Sequence, residues 1–181
     1  MPIYASAKSA GGNYEPAPAG THAAICCDVV DLGVLEVSFS GKTKKQHKIN
    51  ICWQIEEDRD DGKPFVVRKR YTLSLHEKSG LRKDLESWRG RPFSPEELER
   101  FDLEVLIGIG CYINVVHKPN PDGWEPWANV AAIMRLPKNT AAPAIRDYVR
   151  VCDRKPDSES PAVQPDVERE GLGIDDSDIP F

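Results

Sequence analysis

The sequence of 181 residues lacks the short motifs on which several large enzyme classes depend. It has no glycine-rich phosphate loop, no GxSxG nucleophile elbow and no HExxH metal motif, so we expect a protein that is not an enzyme. The five cysteines (Cys26, Cys27, Cys52, Cys111 and Cys152) show no CxxC spacing, and the four histidines are isolated from one another. We therefore expect free thiols in a reducing compartment, with neither a metal site nor a cofactor.

Long apolar runs are also missing. No segment is apolar over the length that a membrane-spanning helix needs, and the N-terminal residues do not resemble a signal peptide. We therefore expect a soluble, cytoplasmic protein without a membrane partner. Aromatic residues make up only 8% of the chain, so each tryptophan is assigned separately to the core or to the surface.

Basic residues are scarce in the C-terminal part of the chain. Residues 156–181 contain one basic residue, Arg169, against eight acidic ones, whereas residues 1–155 contain 23 Lys and Arg against 21 Asp and Glu. The net charge of −5 therefore arises in the C-terminal segment, and the body is mildly basic. Such an asymmetry favours a nucleic-acid-binding body that carries an acidic tail.

The body shows strand patterns in five places. These are residues 22–39, 44–57, 65–75, 103–117 and 124–136. Gly33 interrupts the first pattern, which predicts one long strand bent by a bulge. Alternation in the second and third strands places Trp53, Tyr71 and Leu73 inward, in the core. The side chains expected to point outward are Lys48, Asn50, Cys52, Gln54, Arg68 and Arg70.

Helical spacing occupies the stretch between the third and fourth strands. Ser79 precedes a helix that ends at Gly90, and Ser94-Pro95-Glu96-Glu97 is a capping box that begins a second short helix. Three strands, a helical segment and two further strands are the order of the OB-fold, a five-stranded Greek-key barrel. We therefore predict an all-β fold with one or two short helices, and a ligand surface across its second and third strands.

The remaining segments flank this barrel, which is expected to span residues 19–140. Residues 1–18 are rich in Ala, Gly, Ser and Pro and predict a flexible arm. Residues 141–153 are compatible with a short helix or a linker. From residue 154 onward the chain consists mainly of polar residues and proline, a composition that predicts a disordered tail.

Basic residues fall at the positions where an OB-fold binds its ligand. Backbone phosphates of a single strand are neutralised by several cations in a row, which favours DNA binding here. The alternative is a solvated edge strand, because lysine also protects sheet edges from aggregation. The candidate DNA-binding residues are Lys42, Lys44, Lys45, Lys48, Arg68, Lys69, Arg70 and Lys118.

Two tryptophans are candidates for stacking on DNA bases. Trp124 and Trp127 bracket Glu125-Pro126 in a turn-rich stretch between the fourth and fifth strands, where burial is difficult. Stacking on an aromatic side chain contributes about 1–3 kcal/mol per base and tolerates any base. We therefore add both residues to the predicted DNA-binding surface.

The sequence closes on Asp175-Asp176-Ser177-Asp178-Ile179-Pro180-Phe181. A partner with an apolar pocket rimmed by basic residues can bind the phenylalanine ring and the terminal carboxylate together. This tip resembles the C-terminal tip of bacterial single-stranded DNA-binding proteins, with Ser177 in place of one aspartate. The resemblance implies partner binding through Asp175, Asp176, Asp178, Ile179, Pro180 and Phe181.

The body is similar to single-stranded DNA-binding proteins of bacteriophage replication and recombination cassettes. The similar segments are Trp88-Arg89-Gly90-Arg91-Pro92-Phe93-Ser94-Pro95-Glu96-Glu97-Leu98, Phe101-Asp102-Leu103, Trp127-Ala128-Asn129-Val130 and Leu136-Pro137-Lys138. The resemblance implies an OB-fold that coats single-stranded DNA in the cytoplasm of a bacterial host. It also implies a tip that recruits replication, recombination and repair enzymes.

Two other functions are compatible with the sequence. The barrel is an adaptor that binds protein, with a tip that competes for host enzymes of DNA metabolism, or it is a metal-dependent nuclease. A nuclease would use the acidic residues of 56–61, which are also typical of a solvated turn. The sequence leaves the oligomeric state open, and a homo-oligomer is one alternative.

Overall fold

The computed structural model describes residues 15–121 and 126–154. Within them, five strands form one antiparallel sheet, namely β1 (Gly20–Phe39), β2 (Lys42–Asp58), β3 (Pro64–Thr72), β4 (Gly110–Lys118) and β5 (Trp127–Arg135). Two helices, α1 (Gly80–Arg89) and α2 (Pro95–Glu99), lie between β3 and β4. Most of the predicted arm, the acidic tail and its tip lie outside the described residues.

The strands are ordered β3-β2-β1-β4-β5 across the sheet. The sheet curves so that β3 and β5, its two outermost strands, approach each other, and α1 packs against both. This order, with the helical segment between the third and fourth strands, is that of the OB-fold. The prediction of an all-β, OB-like fold with short helices is therefore confirmed.

Strand β1 is long because it serves two partners in succession. Residues 20–25 pair with β4, while the pairing with β2 continues to the Phe39–Lys42 turn. The register shifts twice along β1, once at Cys27 and once before Gly33, whose φ of 71° suits glycine. The bulge predicted at Gly33 is confirmed. Beyond it, residues 33–39 and 42–47 extend as a two-stranded ribbon.

The core lies between the inner face of the sheet and α1. Trp53 is fully buried and its ring lies 6.0 Å from that of Trp88 in α1. Leu81 and Leu85 occupy the same helix face, and Trp88 Nε1 donates a hydrogen bond to the carbonyl of Gly110 over 3.0 Å. The predicted inward orientations of Trp53 and Tyr71 are confirmed by their burial.

Two strand boundaries differ from the sequence prediction. The fourth strand begins at Gly110 rather than at residue 103, because Asp102 caps a 3₁₀ turn over Leu103–Leu106. The third strand ends at Thr72 rather than at residue 75, because a turn follows in which Ser74 N donates to the Thr72 carbonyl. Leu73 is consequently 40% exposed, and its predicted inward orientation is wrong.

No α-helix forms over residues 141–153. This segment instead runs without regular structure until a 3₁₀ turn at Val151–Asp153. It first passes close to β4, where a Cβ atom on Gly110 would lie 2.5 Å from the Cβ of Ala142. Glycine is therefore required at position 110 for this close approach.

Candidate nucleic-acid interface

The cross-strand register defines which basic side chains share the outer face of β2 and β3. Residues directly opposite each other in an antiparallel pair lie on the same face. The inward residues of β2 are buried in the core, so the alternating set between them points outward. The outward pairs are Lys48 with Thr72, Asn50 with Arg70, and Cys52 with Arg68. The structure thus brings three predicted DNA-binding residues together.

The ribbon extends this face. Lys42 and Lys44 pair with Phe39 and Val37, and alternation from Lys48 places both lysines on the outer face. They are exposed. Five predicted cations, namely Lys42, Lys44, Lys48, Arg68 and Arg70, therefore share one surface, which we call the basic face.

Carboxylates of the ribbon and of β1 just before it lie on the opposite side. His47 Nε2 is 2.6 Å from Asp31 Oδ1, and Lys45 Nζ is 3.8 Å from Glu36. Hydrogen bonds from the Gly33 amide and then from His47 lower the pKa of the Asp31 carboxyl. Lys45, a predicted DNA-binding residue, is therefore separated from the basic face and lies among acidic groups.

Lys69 is also directed away from the basic face. Its Nζ atom lies 2.7 Å from Asp84 Oδ2 in α1, and the Tyr71 hydroxyl donates to the same oxygen over 2.7 Å. Burial, followed by the nearby Asp84 charge, raises the pKa of Tyr71, so the hydroxyl stays protonated as a donor. Lys69 thus joins β3 to α1, and its predicted contact with DNA has no support from this position.

Lys118 and Trp127 lie at the other end of the sheet. They pair with each other where β4 ends and β5 begins. Because β4 runs past the start of β1, this pair is remote from the β1–β2 turn that carries Lys42. Trp127 is half-buried, and Trp124 lies outside the described residues.

Residues 145–154, which we call the strap, cross the outer face of β1 and β2. Their main anchor is Asp28, a carboxylate with 1% of its surface exposed. Asp28 accepts hydrogen bonds from the Tyr148 hydroxyl (3.1 Å), Arg150 Nε (3.1 Å) and the Val151 amide (2.8 Å). Hydrogen bonds to Glu104 and then to Asp28 raise the pKa of Arg150, which keeps its guanidinium charged.

A second anchor holds the beginning of the strap. The side chain of Gln54 donates to the Arg146 carbonyl over 2.6 Å and accepts from the Arg146 amide over 2.9 Å. The Arg146 guanidinium also pairs with Asp58. The strap therefore buries Cys52 and Gln54, which alternation alone predicts to be solvent-facing.

The strap separates the two groups of predicted DNA-binding residues. Along β1, its contact at Asp28 lies between the end near Lys118 and the end near Lys48. The Trp127 side of the sheet and the basic face are thus two surfaces rather than one continuous groove. The last described residue, Arg154, lies in the strap, so the acidic tail starts from the outer face.

The segment behind the body's resemblance to phage proteins has a structural role. Glu97 and Ser94 exchange the two hydrogen bonds of a capping box at the start of α2. Arg89 lies over the rings of Phe93 (4.3 Å) and Phe101 (5.2 Å) and pairs with Glu97 at 2.5 Å. These contacts fix the connection between the two helices, and they direct the Arg89 side chain toward other residues of this connection.

Three of the five acidic residues in the turn at residues 56–61 contact basic side chains. Glu57 lies 2.9 Å from His22, Asp58 pairs with the strap, and Asp61 lies 3.6 Å from Arg59. Within residues 15–121 and 126–154, no three His, Cys, Asp or Glu side chains are grouped as a metal site. The geometry of this turn therefore gives no support to the nuclease alternative.

Sequence reasoning missed the strap and its anchor. Asp28 lies between the apolar residues 23–27 and 29–30, and a carboxylate within such an apolar run is the signal that could have identified it as a buried acceptor. No helix in the described part of the chain is long and apolar enough to cross a membrane. No family model matches the sequence, and no curated protein matches it.

Proposed function

We propose that the barrel binds single-stranded DNA on the basic face and that the C-terminal tip recruits enzymes of DNA replication, recombination and repair. The observation that carries the DNA part is the separation of charge on the β1–β2 ribbon. Lys42, Lys44 and Lys48 share one face with Arg68 and Arg70, while the ribbon carboxylates lie on the other.

This arrangement suits an extended, flexible polyanion. Alternate residues on a strand are about 7 Å apart, so the lysines of β2 form a row of cations along the ribbon. Such a row neutralises successive phosphates and releases their counterions, whatever the base sequence. A duplex needs a broader complementary surface, whereas a single strand follows a narrow row.

The tail supports the second part of the proposal. Its sequence has a large acidic excess and ends in an acidic and apolar tip that resembles the tip of bacterial single-stranded DNA-binding proteins. The strap holds residue 154 on the same side of the sheet as the basic face. A partner recruited by the tip is therefore delivered to bound DNA.

The test is a fluorescence-anisotropy titration with single-stranded DNA, double-stranded DNA and RNA, each with and without Mg²⁺. We expect preference for single strands without cleavage. The double variant Arg68→Glu/Arg70→Glu should bind more weakly, with a dependence of log K on log salt shallower by about 1.4, since each phosphate contact contributes about 0.7.

Lys138→Glu, an exposed charge change in the loop after β5, is the control. It should leave both affinity and salt dependence close to those of the unaltered protein. Equal effects of the control and the double variant would remove β3 from the interface. Absence of any binding would favour the adaptor alternative, and Mg²⁺-dependent degradation would favour a nuclease.

A further inference from the structure

A cavity of about 600 Å³ opens where β3 ends and α1 begins, at the edge of the basic face. Two of its lining residues, Lys48 and Arg70, belong to the basic face itself, and His76 and Lys78 come from the loop before α1. The cavity is thus a continuation of the proposed DNA path. Its polar lining consists mainly of Lys48, Arg70, His76, Lys78, Ser74 and Ser79.

The chemistry of this lining fits a phosphate group. Among the described residues that line the cavity, four carry basic side chains and none carries a carboxylate. The loop before α1 also carries the exposed Glu77, and Asp84 of α1 is bonded to Lys69 and Tyr71. The hydroxyl of Thr72 accepts a hydrogen bond from Lys48 Nζ over 3.0 Å and donates one to Gln46 Oε1 over 3.3 Å, so it positions Lys48 beside the cavity. Phosphate oxygens accept hydrogen bonds from lysine and arginine side chains.

An apolar groove of about 200 Å³ adjoins the cavity. The two share Ser74 and Leu81 in their walls, and Leu73 is exposed at the groove because the chain turns out of the sheet after Thr72. Phe101 contributes a half-buried ring. The groove is lined by Leu73, Leu75, Leu98, Phe101 and Leu103, and Glu99 is the one acidic residue among the described residues of its wall.

We infer that the cavity and the groove together hold one nucleotide, with its phosphate among the basic side chains and its base against the leucines and Phe101. The inference rests on the proposed function and extends it, since this nucleotide would be the one at which a bound strand leaves the basic face. Glu99 repels phosphate from the groove, and this repulsion fixes the orientation of the nucleotide.

Two variants separate the phosphate contact from the base contact. Lys78→Ala should weaken binding of an oligothymidylate about fivefold and make the salt dependence shallower by about 0.7. Leu73→Ser should weaken binding about fivefold, with an unchanged salt dependence, because base packing involves no counterion release. Lys63→Ala, an exposed cation in the β2–β3 turn, is the matched control and should change neither quantity.

The site can also be tested without DNA. Thymidine 5′-monophosphate at millimolar concentration should shift the backbone amide resonances of residues 74–81, and Lys78→Ala should abolish these shifts. Inorganic phosphate should shift the residues around Lys78 but not those around Leu73. Equal shifts by phosphate and by the nucleotide throughout would overturn the base contact.

The outcomes distinguish this inference from the proposed function. If oligothymidylate binding depends on Arg68 and Arg70 but is unchanged in Lys78→Ala and Leu73→Ser, the cavity is not a nucleotide site and the proposed function stands. If oligothymidylate does not bind, the proposed function fails and the nucleotide titration alone decides the inference. Shifts by a peptide of residues 175–181, without shifts by the nucleotide, would assign the groove to an acidic, apolar peptide and overturn the inference.

Discussion

The guanidinium of Arg150 donates a hydrogen bond from Nε to Oδ1 of Asp28 over 3.1 Å, joining residues that are 122 positions apart in the chain. Asp28 is almost completely buried, while Arg150 retains 30% of its side-chain exposure. The pair therefore fixes the strap to the outer face of the sheet, and it connects the start of the acidic tail to the first strand of the barrel.

Asp28→Ala should destabilise the protein by about 3 kcal/mol, the lower end of the range for breaking a buried ion pair, because Arg150 can still reach water. This loss of stability includes the hydrogen bonds from the Tyr148 hydroxyl and the Val151 amide, because both donors lose their acceptor. Urea denaturation followed by tryptophan fluorescence measures the change. Asp147→Asn, an exposed substitution at a residue with φ of 49°, should be nearly neutral. Equal stability of the two variants would contradict the anchoring role of Asp28.

Thiol reactivity provides a second measure of the strap. Four cysteines are buried and Cys152 is exposed, so one thiol per native chain should react rapidly with Ellman's reagent at pH 8. Burial raises the pKa of Cys52 to about 11 and that of Cys26 to about 12, which keeps both thiols protonated at that pH. Cys152→Ser should abolish the rapid reaction.

The same assay on Asp28→Ala tests whether the strap covers Cys52. In the unaltered protein Cys52 should react only as fast as the protein unfolds. Release of the strap should make Cys52 react faster than global unfolding, while Cys111 in the core stays protected. A rapid reaction of more than one thiol in the unaltered protein would contradict the burial of the other four cysteines.

The fold could be predicted from the sequence because apolar and polar residues alternate along the strands of the barrel, and this alternation shows which side chains are buried. Trp53 and Tyr71 sit on the predicted side, and Gly33 forms the predicted bulge. The strap was not accessible, since it contributes no apolar periodicity and is held by polar contacts between residues distant in sequence. Leu73 was misassigned because alternation does not show where the chain leaves the sheet.

The candidate interface was only partly predictable. Composition identifies Lys44, Lys45 and Lys69 equally well as basic residues near the ligand surface. The cross-strand register places Lys44 on the outer face. Lys45 and Lys69 are directed elsewhere, toward Glu36 and Asp84 respectively. Charge patterns therefore identify a region, while the register determines the set of residues.

Glu97 predicts a particular dependence of stability on pH. Hydrogen bonds from the Ser94 amide and then from Arg89 lower the pKa of its carboxyl to about 2. A lowered pKa stabilises the folded state fully above the ordinary value near 4.5, and this stabilisation disappears as the pH falls toward 2. Glu97→Gln should therefore be less stable than the unaltered protein at pH 7, and the difference should shrink between pH 4.5 and pH 2.

Thermal unfolding at several pH values checks this expectation, with Glu99→Gln in the same helix as the control. Because Glu97 bonds Arg89 and Arg91 within the helical connection, Glu97→Gln should leave the salt dependence of DNA binding unchanged. A stability difference that grows on acidification would contradict the assigned hydrogen bonds.

Adjacent lysines on the ribbon give a direct test of the basic face. Lys44 and Lys45 are both exposed, but the register places them on opposite faces. Lys44→Ala should weaken binding to single-stranded DNA and make the salt dependence shallower by about 0.7, the contribution of one phosphate contact. Lys45→Ala should leave the salt dependence unchanged, because Lys45 lies beside Glu36 on the other face. Anisotropy titrations at several salt concentrations measure both variants, and equal effects would place DNA on both faces or on neither.

Removal of residues 175–181 should separate the two parts of the proposed function. The tip carries three aspartates, so its loss reduces repulsion of DNA from the basic face, and single-strand binding should stay equal or become tighter. Binding to bacterial enzymes that recognise the tips of single-stranded DNA-binding proteins should disappear, because the apolar anchor Phe181 is lost with the charges. Surface plasmon resonance with such an enzyme measures this loss, and Phe181→Ala in the full chain separates the ring from the acidic residues. Full affinity of the truncated protein for the enzyme would show that recruitment uses another surface.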